Sequence, residues 1–181
     1  MSIEVTRDTF RLAQVFTISR GSRTEAKVLT VKITRDGVTG WGECVPYARY
    51  DETLESVTDE IAGLPADVSR AALQDMLPAG AARNAVDCAL WDLEAKAQGK
   101  RVWELLGQPK PGPEITAYTL SLDTPENMQA QAAKNAARPL LKVKLGTPDD
   151  RHQPRGEERP TTRGGAAWAG AGRPCPRYAG S

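Results

Sequence analysis

Residues 115–145 hold the pattern that most restricts the topology open to this chain. Ile115-Thr116-Ala117-Tyr118-Thr119-Leu120-Ser121-Leu122 reads as a strand, and Thr124-Pro125-Glu126 as a helix start with proline at the first helical position. Residues 127–137 continue as a helix, and the apolar run Leu140-Leu141-Lys142-Val143-Lys144-Leu145, closed by Gly146, reads as a second strand. Strand, helix, strand with short links is a βαβ unit, whose strands must run parallel with a right-handed crossover. A barrel or a doubly wound sheet begins this way.

Side chains alternate along a strand, so Lys142 and Lys144 leave one face while Leu141, Val143 and Leu145 leave the other. Two ammonium groups roughly 7 Å apart disfavour each other's protonation, which suits one of them to accept a proton. The alternative is an exposed edge strand on which lysines discourage aggregation. The rest of the chain has to decide between the two.

Upstream the pattern is different. Residues 3–19 and 26–34 read as strands, Arg35-Asp36-Gly37 as a hairpin turn, and Val38-Thr39-Gly40-Trp41-Gly42-Glu43 as the antiparallel return strand. The link Ser19-Arg20-Gly21-Ser22-Arg23-Thr24-Glu25 is expected to be a mobile surface loop. Helices are expected over 52–62, 68–76, 79–98 and 102–106. The third is the strongest, with Ala82, Val86, Ala89, Leu90, Leu93 and Ala97 at helical spacing and Gly99 to stop it. The proline-rich loop Gln108-Pro109-Lys110-Pro111-Gly112-Pro113 reads as a domain boundary. The expected organisation is an α+β domain over 1–112, a three-stranded antiparallel meander with helices, followed by a βαβ unit over 113–150 and a tail over 151–181.

The formal net charge of +1 hides an asymmetry, since residues 151–181 carry six Arg against two Glu and the rest of the chain is net negative. That tail contains no Leu, Ile, Val, Met or Phe, so it has little apolar area to offset chain entropy and is expected to be disordered. Its Arg, Gly, Pro and Ala are the residues of GC-rich codons read out of frame, which suggests a frameshifted end. A nucleic-acid-binding role for the arginines is the weaker reading. No window holds the run of about 18 apolar residues that a membrane helix needs, and the charged start lacks a signal-peptide core, so a cytoplasmic protein is expected. Cys44, Cys88 and Cys175 are scattered and suggest neither zinc nor a disulfide framework.

Four segments resemble one family. Ala81-Ala82-Arg83-Asn84-Ala85-Val86-Asp87-Cys88-Ala89-Leu90-Trp91-Asp92-Leu93-Glu94-Ala95-Lys96, with Gly99-Lys100 and Leu105-Leu106-Gly107, is similar to the helix of the N-terminal capping domain in the enolase superfamily, muconate-lactonising branch. Trp41-Gly42-Glu43 resembles that domain's third strand, and Lys142-Val143-Lys144 the catalytic motif on the second strand of the following (β/α)8 barrel. Ile18-Ser19-Arg20-Gly21-Ser22-Arg23-Thr24-Glu25-Ala26 and Gly42-Glu43-Cys44-Val45-Pro46-Tyr47-Ala48-Arg49-Tyr50 resemble the L-Ala-D/L-Glu dipeptide epimerases.

The resemblance implies a racemase or epimerase in which a base removes the proton α to a carboxylate and Mg²⁺ stabilises the ene-diolate. Lys144 would be the base on one face, with Lys142 beside it. Arg23 would pair with a substrate carboxylate from the capping loop, and Tyr50 and Thr119 would line the site. The opposite-face lysine and the three metal-holding carboxylates belong to later barrel strands. Asp149 and Asp150, neighbours on a loop, are a poor substitute for that octahedral site. Asp87, Asp92 and Glu94 read as solvated or helix-end charges, and His152 as irrelevant. A barrel of this type takes about 250 residues, so the chain is expected to hold only its start and to be inactive alone on its small dipeptide or carboxylate substrate. A homo-oligomer is open to it, and nucleic acid and membrane are not expected partners. The alternative is a stand-alone capping or binding module without catalysis.

Overall fold

The computed structural model describes residues 1–146. The expectations for Asp149, Asp150, His152 and residues 151–181 lie outside the described residues. The chain divides into two compact units, Met1–Thr17 with Gly21–Glu114, and Ile18–Arg20 with the chain from Ile115.

In the first unit β1 (Ser2–Ile18), β2 (Gly21–Arg35) and β3 (Val38–Cys44) form a three-stranded sheet in that order. Asp36 and Gly37 both take positive φ, 49° and 79°, as a two-residue hairpin turn of the twist-matching kind requires. That turn fixes the antiparallel register, with Ile33 opposite Gly40, Val31 opposite Gly42 and Leu29 opposite Cys44. Period two then sends Leu29, Val31 and Ile33 to one face, where all three are fully buried.

The segment 19–25 is not the expected mobile loop. Only Ser19 and Arg20 turn, and β2 starts at Gly21, with Thr17 Oγ1 and Ser22 Oγ 2.9 Å apart across the hairpin. Consecutive antiparallel strands need no longer link, and the polar residues 21–25 are all exposed on the ribbon they form.

Four helices follow, of which the third and the first pack on the buried face and the second and fourth on the third. α1 (Leu54–Ala62) starts at a reciprocal cap between Thr53 and Ser56, which leaves Glu52 outside the helix expected over 52–62. α2 (Arg70–Met76) is capped by Ser69, α3 (Ala81–Ala97) is the long helix, and α4 (Val102–Leu105) is a single turn. Val57 and Ile61 of α1, Leu73 of α2, and Ala85, Val86, Ala89 and Leu90 of α3 complete the core on the sheet. Burying a side chain such as Leu73 or Leu90 contributes about 1.5–3 kcal/mol.

α3 lies directly on the backbone of β3. A Cβ at Gly40 would come 2.1 Å from the Ala89 carbonyl oxygen, and one at Gly42 would come 2.0 Å from that of Ala85. The glycines are therefore what admits the helix, and Ala85, Ala89 and Leu93, four residues apart, form the stripe that fills the space.

In the second unit β4 (Tyr118–Leu120) and β5 (Leu141–Val143) pair in parallel, connected by α5 (Pro125–Lys134), whose first turn is capped by Thr124. The strands expected over 115–122 and 140–145 are only three residues long, since ladder bonds form only where the two backbones run opposite each other. α5 buries no residue, while Val143 and Leu145 are 48% and 66% exposed, so the apolar side of this small sheet is largely uncovered. Gly146 turns the chain at φ +140°, and a Cβ there would meet Ser19 at 2.6 Å.

Candidate functional site

The lysines of β5 stand beside a hydroxyl of β4. The parallel register sets Thr119 against Lys142, and paired residues share a sheet face, so Thr119 and Lys142 are side by side. Lys144 follows the strand and stays tied to it, its N–H donating to the Leu120 carbonyl at 3.1 Å. Lys142 is exposed and Lys144 half-buried. Three of the five sequence-nominated residues, Thr119, Lys142 and Lys144, thus lie on the β4–β5 pair.

The other two belong to the first unit. Arg23 is an exposed residue near the start of β2, and its guanidinium carbon lies 5.7 Å from the ring centroid of Tyr47. Tyr47 packs in turn on Tyr50, with ring centroids 5.8 Å apart and planes tilted by 46°. Tyr50 ends a single 3₁₀ turn, Ala48–Tyr50, and is 71% exposed. Arg23 lines two open grooves of about 400 Å³ each. One runs past Val45, Pro46 and Leu54, the other past Leu12, Phe16 and Val45. Glu25 lines both grooves and Lys27 the first, so Arg23 offers its guanidinium in a mixed polar and apolar setting where it can pair with a carboxylate.

Glu52 fastens this loop, a role its place before α1 did not reveal. One carboxylate oxygen accepts the Tyr47 N–H at 3.0 Å and the other accepts the Ala81 N–H, at the start of α3, at 2.7 Å. A carboxylate at a helix N-terminus is favoured by the helix dipole, so the tyrosine that backs Arg23 is anchored to the longest helix. Tyr47 and Glu52 are the functional candidates that sequence reasoning passed over. The Arg23, Tyr47, Tyr50 spacing carried no signal until the hairpin and the 3₁₀ turn were seen together.

Asp92 and Glu94, expected as solvated or helix-end charges, are both engaged. Asp92 accepts the Trp41 N–H at 2.9 Å and pairs with Lys96. Glu94 takes two hydrogen bonds from Arg70, at 2.9 and 2.8 Å, and that guanidinium sits 3.5 Å above the Trp91 ring. Cys44 is buried and free, and burial, reinforced by Glu52 and Glu43, pushes its thiol pKa up to about 11. Cys88 is exposed, its pKa also raised, by partial burial and then Asp87. Among the described residues no three His, Cys, Asp or Glu side chains are grouped to hold a metal ion, so this part of the chain does not fit a magnesium cage. No helix among them is long and apolar enough to cross a membrane.

Comparison with known proteins gives this geometry a context. Residues 1–107 match the family described as mandelate racemase / muconate lactonizing enzyme, N-terminal domain. The chain is 43% identical over 150 residues to an L-Ala-D/L-Glu epimerase of Escherichia coli (strain K12), covering 80% of this chain and 47% of that protein. A solved structure from Agrobacterium tumefaciens, an enolase family member with homology to dipeptide epimerases, holds bound sodium and L-Ala-L-Glu with an ordered loop. It is 53% identical with a TM-score of 0.78, over 82% of this chain and 47% of that one. A dipeptide epimerase from Cytophaga hutchinsonii, complexed with Mg and D-Ala-L-Val, is 28% identical with a TM-score of 0.71, over 82% of this chain and 44% of that one. The chain spans about half the length of the relatives it matches.

Proposed function

The chain belongs to the mandelate racemase / muconate lactonizing enzyme family of the enolase superfamily, and from that premise we propose that it supplies the substrate-reading cap and one catalytic lysine of a dipeptide epimerase. Residues 1–107 carry the capping domain that shows the membership, and the three-stranded sheet with its helices is that domain's fold. The observation that carries the proposal is Lys142 on a strand held parallel to β4, with Thr119 beside it and Lys144 directly after the strand's last residue.

In this reading Lys144 Nζ takes the proton from the carbon α to the substrate carboxylate. Lys142, two residues before it, attracts the carboxylate, and the Thr119 hydroxyl hydrogen-bonds to it. By resemblance, Arg23 reads the substrate's second carboxylate, the one on the side chain. Tyr47 holds the guanidinium from behind, and Tyr50 lines the opening. A dipeptide ending in glutamate offers both carboxylates. The E. coli relative is named for L-Ala-D/L-Glu, and the Agrobacterium relative holds L-Ala-L-Glu, which supports that choice. Magnesium is proposed for the whole enzyme, as in the Cytophaga relative, at a site that the described residues do not form. The protein acts in the cytoplasm, on a small carboxylate and without a nucleic-acid partner.

Forming the ene-diolate also needs the metal site, and epimerisation a base on the opposite face, and this reading assigns both to later barrel strands. The 181-residue chain assayed alone in D₂O with L-Ala-L-Glu and Mg²⁺ is therefore expected to show no deuterium at the α-carbon. Measurable incorporation would overturn the dependence on further barrel strands. A stand-alone binding module is the second reading, favoured by the hydrophobic core cluster, which lies within residues 3–93. Saturable binding of L-Ala-L-Glu to a chain ending at Glu114, lost in Arg23→Ala, would support it.

A further inference from the structure

The two-residue turn at Asp36-Gly37 fixes which backbone groups of β3 face away from β2. Arg35 and Val38 flank the turn as a hydrogen-bonded pair, so the pairs Thr34–Thr39, Lys32–Trp41 and Thr30–Glu43 are the non-bonded ones. Thr39, Trp41 and Glu43 therefore point their N–H and C=O groups outward. β3 is the last strand of its sheet, and such an edge is a template for strand addition.

Helix α3 reaches three of those outward groups. Lys96 Nζ donates to the Thr39 carbonyl at 3.0 Å, Asp92 accepts the Trp41 N–H at 2.9 Å, and Asn84 Nδ2 donates more loosely to the Glu43 carbonyl at 3.4 Å. Asn84, Cys88, Asp92 and Lys96 are spaced by four and form one stripe. It runs beside the Ala85, Ala89, Leu93 stripe that packs on Gly40 and Gly42. The glycines bring the helix down onto the strand, and the neighbouring stripe then hangs over its edge. Donor meets acceptor in the correct sense at each position.

We propose that Asn84, Asp92 and Lys96 are an edge seal, occupying three of the six outward hydrogen-bonding groups of β3 and so interrupting that edge as a template for a strand from a second copy of this chain. The seal also gives the Trp91-Asp92 and Lys96 positions a task that owes nothing to proton transfer.

Amide hydrogen exchange on the full chain tests this. The Trp41 N–H, which has no strand partner, is expected to exchange slowly in the wild type. In Asp92→Ala it should exchange about ten-fold faster, the loss of one charge-assisted hydrogen bond, while Val31 and Ile33 amides are unchanged. Asp92→Ala and Lys96→Met, the second keeping an apolar stem and leaving Asp92 in place, should both associate with rising concentration more than the wild type. Thr39→Pro, which removes an outward N–H of β3, should reverse that association. Fast Trp41 exchange in the wild type, folded variants that associate no more than the wild type, or association that survives Thr39→Pro would each overturn the seal.

Discussion

In the proposed reading Arg23 carries the specificity, and its guanidinium carbon stands 5.7 Å from the centroid of the Tyr47 ring. The contribution can be measured in a chimera that joins residues 1–146 to the remaining barrel of the Agrobacterium relative. Arg23→Ala there should raise KM for L-Ala-L-Glu by about ten- to hundred-fold, the worth of a charge-assisted hydrogen-bonded pair, and leave L-Ala-L-Ala nearly unaffected. Steady-state kinetics on both substrates checks it, and equal losses would place Arg23 outside the recognition of the distal carboxylate. Cys44 gives a prediction in pH. Its thiol is held neutral in the fold, with a pKa raised from the ordinary value near 9 to about 11. The unfolded chain ionises first as pH rises, so the stabilisation is intact below about pH 9 and lost between 9 and 11. Urea midpoints across that window should fall in the wild type and fall less in Cys44→Ala. Lys142 and Lys144 drew notice by type and spacing, but they and Arg23 could be nominated only once their segments were seen to resemble a family. Tyr47, Glu52 and Asp92 could not, since their partners are backbone N–H groups and a guanidinium brought near only by the tertiary fold.

The elements depend on two glycines more than on any large side chain. Gly40 and Gly42 let α3 settle on β3, and the nearest carbonyl oxygens leave no room for a methyl group. Gly40→Ala and Gly42→Ala should each cost about 1–3 kcal/mol or more, as overpacking does in a close-packed core, read as a lowered urea midpoint at unchanged slope. Leu73→Ala, a cavity in place of a clash, should cost about 2–5 kcal/mol by the same measurement. The meander and the long helix were legible because Asp36-Gly37 and the apolar spacing of α3 are local signals. Residues 21–25 were misread because Gly, Ser and Arg suggest a loop. Pairing with β1 and full exposure make them a strand, and neither shows in local composition.

The whole molecule is uneven. The core cluster has every member in the first unit, whereas Leu140, Val143 and Leu145 in the second remain 43–66% exposed and α5 buries no residue of its own. A chain cut after Glu114 should therefore keep the urea midpoint of the full chain, and a marked drop would show that the first unit draws stability from the second. The meander and the βαβ start could be read from pattern, but this imbalance could not, because exposure depends on what packs against a strand rather than on the strand itself. The most direct measurement is solvent deuterium incorporation into each epimer of L-Ala-Glu by the chimera, with and without Lys144→Ala. With Lys144 as the base on one face, the variant loses epimerisation and exchanges the α-proton of one epimer only. Exchange of both epimers at the parent rates would contradict a catalytic role for Lys144.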